Sequence, residues 1–88
     1  MIWKVEFDER ARKELRKLDR QAQVNILSYL RTRIATHEDP RRFGDPLRKT
    51  LIGLWKYRVG PYRIICYINE NVVTVRVLRV GHRKNVYE

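Results

Sequence analysis

Leu54-Trp55-Lys56-Tyr57-Arg58-Val59-Gly60-Pro61-Tyr62-Arg63-Ile64-Ile65-Cys66-Tyr67-Ile68-Asn69-Glu70-Asn71-Val72-Val73-Thr74-Val75-Arg76-Val77-Leu78-Arg79-Val80 is the stretch that decides the fold. Leu54 to Val59 reads as a strand and Gly60-Pro61 as a turn. Tyr62 to Ile68 reads as a second strand closed by Asn69-Glu70-Asn71, and Val72 to Val80, dense in Val and Thr, as a third. Three strands in succession make an antiparallel meander. Strand alternation sends side chains at i and i+2 to one face, so Lys56 and Arg58 point together and Arg63 follows on the next strand.

Working toward the N-terminus, Ile2 to Phe7 reads as another strand, with Trp3, Val5 and Phe7 on one face and Trp3 and Phe7 assigned to the core. Asp8 suits the N-cap of a first helix, with Glu9 in its first turn and Ala11, Leu15 and Leu18 as its apolar stripe. Asp19 caps a second helix running to about Ala35. Its apolar positions are Val24, Leu27, Leu30 and Ile34, widened by Ile26. His37 to Pro46, with two Asp-Pro pairs and a Gly, is the one long connection. The order is β-α-α-β-β-β, an α+β domain spanning 1–88. An antiparallel helical hairpin packs on one face of a small sheet and leaves the other face or the rim free.

Eighty-eight residues suit one domain. An apolar fraction of 43% beside 34% charge is that of a folded chain. No stretch approaches the ~18 apolar residues of a membrane span, and Met1 to Phe7 alternates apolar and charged residues, unlike a signal peptide. Cys66 is the single cysteine, which excludes an internal disulfide and a cysteine-based zinc site. A reducing, cytoplasmic setting is expected, without a membrane partner. From Leu51 onward seven Lys or Arg face two Glu, so half of the net +10 lies there. With a pI near 10.4, polyanions are the natural partners.

Arg63 stands between Tyr62 and Ile64 in an otherwise apolar strand. Burying a guanidinium without an anionic partner is costly, nearby acids are few, and a phosphate matches the planar fork of donors. Lys56, between Trp55 and Tyr57 and near two arginines, is placed as a general base; the same pattern also fits a strand lysine that snorkels. His82 follows a glycine and precedes Arg83, where an imidazole suits proton transfer or is simply exposed. His37 has no companion ligands, so no metal and no cofactor are expected. Tyr87 suits base stacking, acid–base chemistry or packing. No Walker loop or paired carboxylate set stands out. If the chain is an enzyme, the reaction these residues suit is metal-independent RNA cleavage, with the ribose 2′-OH as nucleophile and cations on the phosphorane.

Several short motifs recur in order. They are Phe7-Asp8-Glu9-Arg10-Ala11 with Lys13-Glu14 and Lys17-Leu18, then Leu47-Arg48, Trp55-Lys56-Tyr57-Arg58, Tyr62-Arg63-Ile64, Val80-Gly81-His82-Arg83 and Val86-Tyr87. Together they resemble the RelE branch of the RelE/ParE toxin superfamily over nearly the whole chain. The resemblance implies a toxin of a type II toxin–antitoxin pair that cleaves messenger RNA in the ribosomal A site. It implies a cognate acidic, RelB-like antitoxin, and operator DNA bound only by the toxin–antitoxin complex. It places Lys56 as general base, Arg63 and Arg83 on the scissile phosphate, and Tyr87 on the substrate. It makes Arg48 a supporting basic residue; Lys49, Arg79 and Lys84 are expected to join it in binding RNA. Arg58 stands where the best-known member has a lysine proposed as general acid. Arginine stays protonated and stabilises charge instead, which makes His82 a candidate for the vacant role. The segment between Arg83 and Tyr87 is shorter here. A ParE-like inhibitor of DNA gyrase on the same scaffold, or a non-catalytic nucleic-acid-binding module, is the alternative.

Overall fold

The computed structural model describes residues 1–47 and 53–85. Strand β1 (Lys4–Phe7) leads through Asp8 into α1 (Glu9–Arg16), and Asp19 opens α2 (Arg20–Tyr29). Both expected caps form: Asp8 accepts from the Arg10 N–H at 3.3 Å and Asp19 from the Ala22 N–H at 2.7 Å. Each satisfies a donor that the first turn of a helix leaves open.

The second helix departs from the expectation in two ways. Its α-helical part ends at Tyr29, and Leu30–Ile34 winds as a π turn closed by the Ala35 N–H on the Leu30 carbonyl at 2.8 Å. The Thr32 hydroxyl takes the Ser28 carbonyl at 2.8 Å, competing for the acceptor that the α-helical ladder would use. The buried line is Ala22, Ile26, Leu30 and Ile34, whereas Val24 and Leu27 are 50% and 42% exposed. At 100° per residue Val24 lies roughly 160° round the helix from Ile26, so the two cannot share a core face.

A short 3-10 turn (Pro40–Phe43) precedes β2 (Asp45–Pro46). Strands β3 (Leu54–Val59), β4 (Tyr62–Asn69) and β5 (Thr74–His82) follow as the expected meander. The sheet has five strands in the order β1-β5-β4-β3-β2. All neighbours are antiparallel except β1, which runs parallel to β5 from Lys4 opposite Thr74 to Phe7 opposite Val77. The register of β4 on β5 slips between Ile65, opposite Arg79, and Cys66, opposite Val77, leaving Leu78 as the extra residue of a bulge. That bulge returns Val75, Val77 and Val80 to one side, all buried.

One sheet face carries the core. Ala11, Leu15, Ile26, Leu30 and Ile34 pack against Tyr57, Ile64, Cys66, Ile68, Val75, Val77 and Val80. Trp3 and Phe7 flank this core half-buried and do not fill it. On the other face lies a smaller cluster of Leu47 and Ile65 with Leu54. The helices thus cover one side, and Leu47 covers part of the other.

Candidate functional site

The face without helices is where the cations of the meander gather. Lys56 is opposite Ile65 across β3 and β4, Arg58 is opposite Arg63, and Arg63 is in turn opposite Gly81 on β5. Lys56, Arg58 and Arg63 therefore share one side, beside the Leu47, Ile65 and Leu54 cluster. Arg63 is only 7% exposed. Its Nη1 donates to the carbonyls of Gly60 at 3.0 Å and Tyr62 at 2.9 Å, while its buried Nε has no hydrogen-bond partner among the described residues. The guanidinium is oriented by neutral oxygens, and no carboxylate among the described residues compensates its charge. Like charges directly opposite each other on a sheet destabilise it. Asp45 lies 3.9 Å from Arg58 Nε, with both side chains more than half exposed, so the pair offsets little. An anion between Arg58 and Arg63 relieves the repulsion and meets donors already fixed in place.

The turn between β3 and β4 does the orienting. Val59 is opposite Tyr62, and Gly60 takes φ 59°, the positive value a glycine supplies at the first central position of a two-residue hairpin turn. Three successive carbonyls then serve the arginines: Gly60 and Tyr62 hold the Arg63 side chain, and Pro61 accepts the Arg83 N–H at 2.9 Å. Arg83 and Lys84 are exposed in the turn that follows β5.

The other expected site residues are held differently. His82 is opposite Tyr62, on the side of Ile64 and Val80. Its ring meets the Tyr62 ring edge-on at 6.0 Å, and its Nδ1 accepts from the Lys84 N–H at 3.2 Å. The ring thus lies on the helix side of the sheet, away from the face of Lys56, Arg58 and Arg63. Arg79 is bound by Glu14, its Nε donating to both carboxylate oxygens at 3.0 and 3.2 Å. Arg48, Lys49 and Tyr87 lie outside the described residues.

Two supporting residues escaped the sequence reading. Glu14 also accepts the Val80 N–H at 2.9 Å. Because β1 ends opposite Val77, the edge of β5 beyond it is open, and this carboxylate on α1 closes it. The sequence signal was slight: Glu14 and Glu9 are the two acids of a helix otherwise dominated by Arg and Lys. Tyr57 is fully buried, and its hydroxyl donates to the Pro40 carbonyl at 2.8 Å. Burial pushes its phenol well above the ordinary tyrosine range. A Cβ on Gly44 would come to 3.0 Å from the Tyr57 ring and 3.2 Å from the Lys56 carbonyl, so a larger residue there would crowd the approach of this segment to β3.

The comparisons with known proteins place this fold in a family. A family model described as the ParE toxin of the type II toxin–antitoxin system parDE matches residues 5–87. Toxin RelG of Mycobacterium tuberculosis is 33% identical over 87 residues, 99% of this chain and 98% of that one. Among solved structures, a chain of the RelBE2 toxin–antitoxin complex from M. tuberculosis gives a TM-score of 0.86 at 32% identity, over 94% of this chain and 100% of that one. The isolated E. coli RelE toxin gives 0.71 at 26% identity, over 91% and 83%. The chain therefore belongs to the ParE toxin family of type II toxin–antitoxin systems, within the RelE/ParE superfamily.

Proposed function

We propose that this toxin stops translation by cutting messenger RNA in the ribosomal A site. The observation that carries the reading is the cross-strand pair Arg58 and Arg63 beside Lys56, with Arg63 buried, clamped by carbonyls and free of any carboxylate among the described residues. In the proposed reaction the ribose 2′-oxygen attacks the adjacent phosphorus while Lys56 accepts its proton. Arg58, Arg63 and Arg83 stabilise the charge of the phosphorane. The bond to the 5′-oxygen then breaks, leaving a 2′,3′-cyclic phosphate and a 5′-hydroxyl. Tyr87 is proposed to supply the proton to that oxygen, because the His82 ring lies on the other side of the sheet; Tyr87→Phe tests the assignment. A site with few strong acid–base groups gains from a ribosome that holds the message in a reactive geometry.

The partner follows from the same likeness. RelBE2 is a toxin–antitoxin complex, and a cognate acidic, RelB-like antitoxin is proposed to neutralise this chain, the pair together binding operator DNA. The test is primer extension on a defined message, with the protein added to programmed ribosomes and separately to naked RNA. Cuts in A-site codons only with ribosomes present support the nuclease. An intact message in both tubes favours the gyrase reading, which the ParE description of the matching family keeps in view.

A further inference from the structure

Round the β2 edge of the sheet lies a second basic feature. Phe43 is 38% exposed despite its size, and two guanidiniums stand over its ring, Arg42 at 4.2 Å and Arg33 at 5.4 Å from the centroid. Arg33 also stands 5.7 Å over Tyr29. These distances lie within the range of cation–π attraction. Arg42 is paired with Glu38 at 3.0 Å, in an exposed pair that salt screens, whereas Arg33 has no carboxylate partner among the described residues. The position connects the feature to the basic face. Phe43 ends the Pro40–Phe43 turn, Gly44 packs on Tyr57, and Asp45 is the register partner of Lys56.

We propose that Arg33, Phe43 and Arg42 form a stacking platform for an unpaired base of single-stranded RNA, with the guanidiniums reaching the flanking phosphates. Bases stack on aromatic rings and on guanidinium planes regardless of sequence, and cations beside them hold the backbone. An acidic protein segment would use the arginines but would gain little from the exposed ring. The observations therefore favour RNA. The inference takes its ligand class from the proposed function and is independent of catalysis there.

The test measures binding of the whole toxin to a short 2′-O-methyl RNA, which lacks the nucleophile for cleavage, and to an abasic oligomer of equal charge. Phe43→Ala is expected to weaken binding of the base-bearing oligomer about tenfold and to leave the abasic one unchanged. Phe43→Trp, which keeps a stacking face, restores it, and Arg33→Gln weakens both. Thermal melting checks that each variant folds. Equal affinity of wild type for both oligomers, or no effect of Phe43→Ala, overturns the platform. So does a Phe43→Ala loss confined to binding of a poly-glutamate peptide. Ribosome-dependent cleavage is scored separately, so a silent nuclease assay beside a Phe43-dependent affinity leaves the platform standing.

Discussion

Arg63 combines two properties that rarely coincide: near-complete burial and the absence of a carboxylate partner among the described residues. Such a residue is suited to an anion's oxygens and has donors that a lysine would not reproduce. Arg63→Ala is expected to lower cleavage by about 10²–10³-fold. Inorganic phosphate should raise the melting temperature of the wild type and not of Arg63→Ala; equal shifts in both would remove Arg63 from the anion site. The oddity of Arg63 was legible because a cation in an apolar strand stands out in any window. Which way His82 faces was not, because the bulge at Leu78 breaks the two-residue count on which such a reading depends. Cys66 provides a pH signature. Burial raises its thiol above the ordinary 9.0, so the folded state keeps a proton that the unfolded state releases. Stability is then whole below 9.0 and falls as pH rises past it, by up to about 1.4 kcal/mol per pH unit. Urea titrations on both sides of 9.0 should show this slope in the wild type and a shallower one in Cys66→Ala.

Local chemistry settled much at the level of elements: the aspartate caps, the Gly60-Pro61 turn and the antiparallel meander all form where the residues ask for them. Long-range pairings did not announce themselves. Nothing in Lys4 to Phe7 names β5 as its neighbour, and the bond from Glu14 to Val80 spans 66 positions. Glu14→Ala leaves the Val80 N–H and the Arg79 guanidinium without their partner and is expected to destabilise by about 1–3 kcal/mol. Hydrogen exchange at Val80 should quicken more than at Val75, which lies inside the β1 pairing; equal quickening would indicate global loosening and not an opened edge. Val73, between the Glu70–Val72 turn and β5, sits at φ 49° and ψ 50°. That left-handed conformation is strained for a β-branched side chain. Val73→Asn is therefore expected to raise stability by about 0.5–1 kcal/mol in urea unfolding, and a lower midpoint would show that Val73 packing outweighs the strain.

At the scale of the molecule, the net +10 makes every polyanion a partner to some degree. What the sheet adds is a face where cations converge, and a rim where they alternate with aromatic rings. Affinity for an acidic antitoxin and for RNA should both fall steeply between low and physiological salt, with log Kd for RNA linear in log salt. A salt-indifferent antitoxin complex would point instead to apolar contact as its main support. Charge was plain in the composition, but its division between two surfaces depends on the order of strands. That order also has a consequence for biosynthesis. The strand lying between β1 and β4 is β5, the last of the described strands to be translated. While a nascent chain is still short of Thr74, β1 has no neighbour among the described strands and β4 lacks one flank. Gly81 and Arg83 have yet to join Arg63. Non-local pairing of this kind is completed late in folding, so the arginines of β3 and β4 wait for β5 before their shared surface is closed.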